Sequence, residues 1–256
     1  MTLSVASLNT SLVAQTMPTG AMSIATALTN VATYRAGTVS IVDTAENISQ
    51  NLETLQRIKT RIGSISFSSG SGSNLSLTTQ QLTSYGDTLS KINSYTVTAQ
   101  SVMVADVARL ASNSKVTAIQ IADSARNISA NIDALSASDI ASKVTLIRQT
   151  GTPAALNVTS GQLLTASKAA TINKITDNYT LNVSNVSLAD MNTVAANSKV
   201  SGISILDSTS QIALHLDDLR ALGVRLVSAK ATDKGALAVT TTQVKTDAWV
   251  LGKIYG

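Results

Sequence analysis

The sequence contains no cysteine, one tryptophan, one phenylalanine and only 13% charged residues. Without cysteine, the protein can form neither a disulfide nor a thiolate metal site. With so few aromatic side chains, the core has to be built from small layers of alanine, valine, isoleucine and leucine. Charged residues have about half of their usual share, and serine, threonine and asparagine take their place. Such a surface is common in secreted bacterial surface proteins.

Two targeting signals are also missing from the sequence. No window reaches the ~18 uninterrupted apolar residues that a membrane span requires, so we expect no membrane span. Residues 1–15 lack a basic start and a continuous apolar stretch, and therefore do not read as a Sec signal peptide. If the protein is exported, either its route needs no signal at this end or the sequence is a fragment of a longer protein.

The net charge of +4 does not indicate a nucleic-acid partner. The lysines and arginines are scattered, and the densest run is Arg57, Lys59 and Arg61. Nucleic-acid binding usually combines a basic stripe with aromatic platforms. The sequence has neither, so we expect no nucleic acid among its partners.

What the sequence does contain is an internal repeat. Residues 115–135 match residues 38–55 and 199–219, and each copy carries one aspartate at the same place. These aspartates are Asp43, Asp123 and Asp207, and the two intervals between them are nearly equal. Self-similarity at a fixed period indicates a repeat architecture.

A second motif repeats in the same register. Residues 75–82, 156–163 and 237–244 match one another at equal spacing, and each is followed by a Lys-Ile pair. The pairs are Lys91-Ile92, Lys174-Ile175 and Lys253-Ile254. The chain therefore holds two complete units of about 81 residues each, together with flanking part-units.

The hydrophobic pattern changes its period within each unit. A β-branched run at 116–121 predicts a strand, and Ile128, Ile132 and Leu135 fall on one helical face. Asp123 lies between them, where its carboxylate would cap the following helix. We therefore predict an α/β repeat solenoid of short parallel strands with helical returns, roughly three coils per repeat. An all-β parallel β-helix is the alternative.

This interpretation divides the chain into an N-terminal cap or extended arm at 1–30 and a single solenoid domain at 31–256. The solenoid comprises about three repeats, at 31–106, 107–190 and 191–256.

The C-terminal segment is less polar than the cap of a repeat array should be. Trp249 replaces a small or polar residue of the earlier repeats. We interpret this segment as a cap or as a contact for a neighbouring subunit, with Trp249, Ile254 and Tyr255 as interface candidates.

No constellation for catalysis is apparent. His215 is the only histidine, no serine lies in a Gly-x-Ser-x-Gly motif, and the run 70–73 lacks the lysine of a phosphate loop. The recurring aspartates occur in every unit, which favours a structural role. We therefore expect a protein that is not an enzyme and has no cofactor. Calcium at Asp43, Asp123 and Asp207 is the weaker alternative, since calcium needs several oxygen ligands.

The repeat signature resembles a known group of proteins. The pattern Val-x-x-Ile-x-Ile-x-Asp-Ser-Ala-x-Asn-Ile-x-x-Asn-Ile-Asp-Ala-Leu at 116–135 is similar to repeats of very large bacterial cell-surface and extracellular proteins. Many of those look like type I secretion substrates, and some are adhesin-like or surface-layer-like. The resemblance covers about residues 30–256. It implies an extracellular location, signal-less export and a scaffold or adhesive role.

Three functional hypotheses follow. The first is an extracellular structural protein that assembles with copies of itself into a filament, lattice or matrix. The second is an adhesin module that binds a cell-surface glycan, with Tyr34, Tyr85, Tyr95 and Tyr179 as candidate contacts. The third, ranked last because acids and bases are sparse, is a β-helix enzyme that acts on polysaccharides.

Overall fold

The computed structural model describes residues 16–256 and shows an α/β protein in which strands and helices alternate. The strands are Ala21–Met22 (β1), Val39–Asp43 (β2), Ile62–Phe67 (β3), Asn74–Thr78 (β4), Thr96–Val102 (β5), Val116–Asp123 (β6), Val144–Gln149 (β7), Leu156–Thr159 (β8), Leu181–Val186 (β9), Val200–Asp207 (β10), Leu226–Ala231 (β11) and Ile254–Tyr255 (β12).

Most helices are short. They are Ile24–Thr33 (α1), Ala45–Arg57 (α2), Thr79–Ser84 (α3), Gly86–Leu89 (α4), Val104–Ala111 (α5), Ala125–Ala130 (α6), Ile132–Leu135 (α7), Ser138–Ala141 (α8), Ser160–Leu164 (α9), Ala166–Ile172 (α10), Met191–Ala195 (α11), Thr209–Leu214 (α12), Leu216–Ala221 (α13), Thr241–Thr246 (α14) and Ala248–Leu251 (α15). None of these helices is long and apolar enough to cross a membrane.

The strands form three all-parallel sheets of three, four and five strands, and the contacts divide the chain into two compact parts. The first part extends to Thr98 and the second covers Ala99–Gly256. The predicted boundaries at 30, 106 and 190 stay predictions, and residues 1–15 of the proposed N-terminal arm lie outside the described residues.

In the first part, β1, β2 and β3 pair in chain order. Met22 pairs with Ile41 and Val39 with Ile62, and a further parallel bridge joins Ile65 to Ile92. Helix α2 follows β2 and packs its apolar face inward. The fully buried side chains of this part include Ile41, Ile48, Leu52, Leu55, Ile62, Ile65, Leu75 and Leu77.

In the second part, β6 pairs with β7, and β8 to β12 pair in chain order. Leu181 of β9, for example, pairs with Leu156 of the preceding strand and with Val200 of the following strand. Between the two strands of each of these pairs the chain forms one to three short α-helices. The core consists almost entirely of valine, isoleucine and leucine, as the composition predicts.

Several of the elements predicted from the sequence are present in the structure. The strands predicted at 116–121 and 156–159 are present as β6 and β8, and Ile128, Ile132 and Leu135 are all buried. The returns are helical, so the all-β alternative is wrong. The predicted continuous helix after Asp123 is instead interrupted at Asn131, between α6 and α7.

Candidate functional site

The recurring aspartates fasten one strand–helix segment to the segment before it. At the end of β6, Asp123 Oδ2 accepts a hydrogen bond from Val104 N, the first residue of α5, at 2.9 Å. Its Oδ1 accepts from Ser124 N and from Asn127 Nδ2, both at 2.7 Å. The carboxylate therefore satisfies a free amide at the start of a preceding helix and holds the start of its own return.

The same contact recurs at the equivalent positions. Asp43 Oδ2 accepts from Ile24 N at 2.9 Å, and Asp207 Oδ2 accepts from Leu188 N at 3.0 Å, at the same sequence separation. The prediction that these aspartates cap the helix that follows them is wrong. The N-caps are the next residues, and each accepts from the amide three residues later: Thr44, Ser124 and Ser208.

These bonds also lower the pKa of two of the aspartates. Burial raises the pKa of Asp123, but hydrogen bonds from Val104, Asn127 and Ser124 together outweigh it, so the pKa lies below its ordinary value. The pKa of Asp43 is lowered by the same balance. A cation at either carboxylate would have to displace N–H donors. Within residues 16–256, no three histidine, cysteine, aspartate or glutamate residues lie together as a metal site.

Basic side chains make the complementary contact at the other end of the helices. Lys143 Nζ donates to Ala111 O, at the last residue of α5, at 2.6 Å. Lys174 Nζ donates to Ala141 O of α8 at 2.6 Å, and Arg225 donates to Ala195 O of α11 at 2.8 Å. A cation at a helix C-terminus satisfies free carbonyls and interacts favourably with the helix dipole. Sequence reasoning missed this role, although the Lys-Ile pairs marked part of it.

The basic run of the first part is also engaged, but only Arg61 binds backbone carbonyls. Arg61 donates to Tyr34 O and Gly37 O, while Arg57 pairs with Glu53 and Lys59 with Asp87.

Lys253 differs from its counterparts. Lys91 Nζ donates to Ile62 O at 2.7 Å, as Lys174 Nζ does to Ala141 O. The Lys253 side chain is exposed, and its amine makes no hydrogen bond or ion pair with the residues that the structure describes.

A buried serine links two of the repeats to the strand that follows. Ser129 Oγ on α6 accepts from Asn157 N of β8 at 3.1 Å, and Ser49 Oγ on α2 accepts from Ser76 N of β4 at 3.0 Å. The third repeat has Ala213 at the equivalent place after its aspartate. The third repeat therefore lacks this acceptor.

The third copy of the second motif also differs in burial. Leu156 and Val158 of β8 are 1% and 2% exposed because β9 pairs alongside them, Leu156 with Leu181 and Val158 with Val183. The equivalent Leu237 and Val239 are partly exposed and lie outside any strand.

We call Leu237, Val239, Trp249, Ile254 and Tyr255 the C-terminal edge. Trp249 is 42% exposed and Tyr255 56%, and Ile254 is partly exposed on β12, the last strand of its sheet. A cavity of about 490 Å³ opens beside Leu237, Leu251, Ile254 and Tyr255. The structure thus places two of the three predicted interface residues, Ile254 and Tyr255, beside Leu237, which sequence reasoning did not single out.

A second cavity, of about 630 Å³, lies beside Trp249. It is lined by Arg220, Gly223, Val224, Leu226, Trp249 and Lys253. The equivalent cavity of the first repeat is about 300 Å³ and includes Lys59, Asp87 and Lys91 in its lining. Asp87 is bound there by Lys59, whereas the third repeat has Trp249 and Gly223 at these positions.

Asp247 is a buried group that the sequence did not reveal. It is 0% exposed, and Arg220 lies 3.1 Å from its Oδ1 as the cationic partner. Arg220 also binds Asp217 at 2.8 Å. Asp247 lies two residues before Trp249 of the C-terminal edge.

The other candidate residues have ordinary surroundings. His215 Nδ1 lies 2.7 Å from Asp218 Oδ2 at the junction of α12 and α13. Tyr179 is buried, its hydroxyl donates to Ile172 O at 3.3 Å, and the Lys199 amine lies 3.6 Å from its ring centre. Tyr34, Tyr85 and Tyr95 are partly buried. The exposed aromatic side chains are instead Trp249 and Tyr255, at the C-terminal edge.

No known family model matches the chain, and no significant match was found among curated proteins or solved structures.

Proposed function

We propose that this protein is an extracellular structural protein whose copies associate through their repeat ends into a filament, surface lattice or matrix. Its repeats form a solenoid of about three coils each, and it is located at the cell surface or outside the cell. The resemblance of the repeat signature to bacterial surface proteins supports the location. The consecutive parallel pairing of β8 to β12 through short helical returns supports the solenoid.

The observation that carries this proposal is the C-terminal edge. Leu237 and Val239 are partly exposed, although the equivalent motif is buried at Leu156 and Val158. Tyr255 lines the same cavity as Leu237, and Trp249 is a further exposed apolar side chain of the C-terminal edge. Fully burying one such leucine or valine side chain contributes about 1.5–3 kcal/mol. Association that covers this edge is therefore favourable.

The recurring charges support a structural role as well. The aspartates and lysines that look chemically interesting in the sequence bind helix ends in the fold, as Asp123 and Lys143 do. They are occupied by backbone groups and are not presented to a substrate.

The proposal is tested by the mass of the protein in solution. Sedimentation equilibrium with calcium and with chelator should show mass that rises with concentration, and electron microscopy should show ordered assemblies. Val239→Asp should shift the protein to monomer. Leu214→Asp, at a 74% exposed leucine of α12 away from the edge, is the matched control and should associate normally. A wild-type chain that stays monomeric at every concentration would overturn the proposal.

A glycan-binding module is the second candidate, and the cavity beside Trp249 favours it. The exposed indole could stack on a sugar ring, and the Lys253 amine has no partner among the described residues. Trp249 is the only tryptophan, so its fluorescence reports binding directly. Quenching by a glycan in the wild type and not in Lys253→Met would support this candidate, and a glycan array without hits would oppose it.

A further inference from the structure

We infer that a cavity beside Tyr179 and Lys199 is a binding site for a sugar that carries one carboxylate, such as a uronic acid unit of a polysaccharide. The cavity has a volume of about 340 Å³ and lies within the second part of the chain. It shares no lining residue with the C-terminal edge or with the cavity beside Trp249. The inference therefore goes beyond the proposed function and does not depend on self-association.

The Lys199 amine is the group that would bind the carboxylate. It lies 3.6 Å from the centre of the Tyr179 ring, a distance at which an aromatic face attracts a cation. Tyr179 is itself held in place, since it is 5% exposed and its hydroxyl donates to Ile172 O at 3.3 Å. Lys199 forms no ion pair with a carboxylate of the described residues. An amine has three donors, so the ring positions this cation and leaves its hydrogens for an anion.

The remaining lining fits the ring of a sugar. Ile172 and Leu181 are buried and contribute apolar contacts, whereas Asn173, Asn197 and Ser198 bring amide and hydroxyl groups to the rim. A sugar ring presents both C–H faces and hydroxyl groups. Small-molecule sites of roughly 300–1,000 Å³ combine an apolar lining with a few polar groups in this way. Of the described residues that line the cavity, Lys199 alone is charged, which matches a ligand with one negative charge.

The second repeat has a longer segment beside this cavity than the other repeats. Its interval from the capping-box glutamine to the lysine of the Lys-Ile pair is 12 residues, from Gln162 to Lys174, against 10 in the first and third repeats. The added length lies in α10, which has 7 residues, whereas α4 and α15 have 4 each. Helix α10 lines the cavity with Ala169 and Ile172. The fold does not require this extension, because the other repeats form without it.

The cation belongs to the repeat, whereas the space beside it depends on residues that change. Tyr179 and Lys199 have equivalents in Tyr95 and Lys115. Thr193, which also lines the cavity, takes the place of Arg109 of the preceding repeat and is shorter and uncharged. Residues that the fold requires recur in every copy, so the longer α10 points to a role of this copy beyond folding.

The test titrates the full chain, at a concentration where it is monomeric, with D-glucuronate and follows its backbone amides by NMR. The matched probes are D-glucose, which lacks the carboxylate, and acetate, which lacks the ring. We expect saturable shifts with glucuronate at the amides of Asn173, Ser198 and Lys199, and binding of glucose and of acetate that is about tenfold weaker or worse. No saturable binding of glucuronate up to ~10 mM would overturn the inference, as would equal binding of either matched probe.

Chain variants locate the binding. Lys199→Met removes the cation and should weaken glucuronate about tenfold or more, without changing the response to glucose. Thr193→Arg introduces the side chain that the preceding repeat carries at this position, so the chain should fold normally while the cavity is filled and binding is lost. Lys230→Met, at an exposed lysine that does not line the cavity, is the control and should bind as the wild type does. Unchanged binding by Lys199→Met, with circular dichroism that shows a folded chain, would overturn the inference.

Failure of this inference can be distinguished from failure of the proposed function. Lys199→Met should not change the mass of the protein in solution, and Val239→Asp should not change glucuronate binding. Glucuronate binding by a chain that stays monomeric at every concentration keeps this inference and removes the proposed function. Self-association without glucuronate binding does the reverse.

Discussion

The second and third repeats carry the same motif, Leu-x-Val-Thr followed by a glutamine three residues later, yet only one of them forms a strand. In the second repeat, residues 156–159 pair with β9, and Leu156 and Val158 are buried. In the third, residues 237–240 have no regular secondary structure and are partly or fully exposed. The sequence of the motif is therefore not sufficient for the strand, which needs its neighbour.

The capping box behaves in the opposite way. Thr159 with Gln162 and Thr240 with Gln243 form the same pair of reciprocal bonds, and α9 and α14 both follow. These bonds join residues three apart and do not depend on a neighbouring strand. The capping box is therefore encoded by the local sequence of the repeat, whereas the strand forms only where a neighbouring strand pairs with it.

The largest effect should come from a charge placed at the two valines of this motif. Val158→Asp would bury an unpaired carboxylate at a 2% exposed site and should cost more than about 3 kcal/mol. Val239→Asp should cost less than about 1 kcal/mol because Val239 is reached by solvent. Urea denaturation of both variants measures the difference, and equal losses would show that the C-terminal edge is covered within the isolated chain.

Acid should weaken the second repeat through Asp123. Its folded-state pKa lies below the ordinary value, so its contribution is present above the ordinary value and is lost as pH falls through the folded-state pKa. Asp123→Asn should lower stability at pH 7 by about 1–3 kcal/mol and flatten the loss below pH ~4. Exposed Asp139→Asn is the control. If the free energy of unfolding falls equally steeply with decreasing pH in the wild type and in Asp123→Asn, this assignment is wrong.

The buried serine offers a reciprocal exchange between the repeats. Ser129→Ala removes the acceptor of Asn157 N and should cost about 1–2 kcal/mol. Ala213→Ser introduces the same hydroxyl in the third repeat. Residues 237–240 form no strand there that could donate to it, so stability should change by less than about 0.5 kcal/mol. Thermal unfolding compares the two. A gain from Ala213→Ser equal to the loss from Ser129→Ala would mean that the serine alone orders the strand.

The smallest expected effect concerns the lysines of the Lys-Ile pairs. Lys174→Met removes the hydrogen bonds to Ala141 O at the end of α8 and to Val144 O of β7, and should cost about 0.5–1 kcal/mol. Lys253→Met should have no measurable effect on stability because the Lys253 amine holds no carbonyl. Chemical denaturation at low and high salt provides the measurement, and a cost for Lys253→Met that matches that of Lys174→Met would refute the difference.

Sequence reasoning recovered the periodic elements and missed the contacts between them. Alternation at β6 and the helical spacing of Ile128, Ile132 and Leu135 identify buried positions because burial follows the local period. The partner of Asp123 could not be read from the sequence, since a capping acceptor serves the following helix or a distant amide equally well. The positive φ of 55° at Asn185, inside β9, was equally invisible.

The C-terminal edge was found in part. The unusual Trp249, Ile254 and Tyr255 marked it, because this segment is less polar than a cap should be. Leu237 and Val239 conform to the repeat and therefore looked like core. They are partly exposed because no described strand pairs beside residues 237–240. Their residue types are the same as those of the buried Leu156 and Val158, so the sequence does not distinguish the two pairs.

The aspartates and basic residues share a direction that bears on how the chain folds during synthesis. Asp123 reaches back to Val104, Lys143 back to Ala111 and Lys174 back to Ala141, each to a segment made earlier. Because chains emerge from their N-terminus, every new segment seals the one before it. Folding can then advance in one direction during synthesis, with only the newest segment left open at any time.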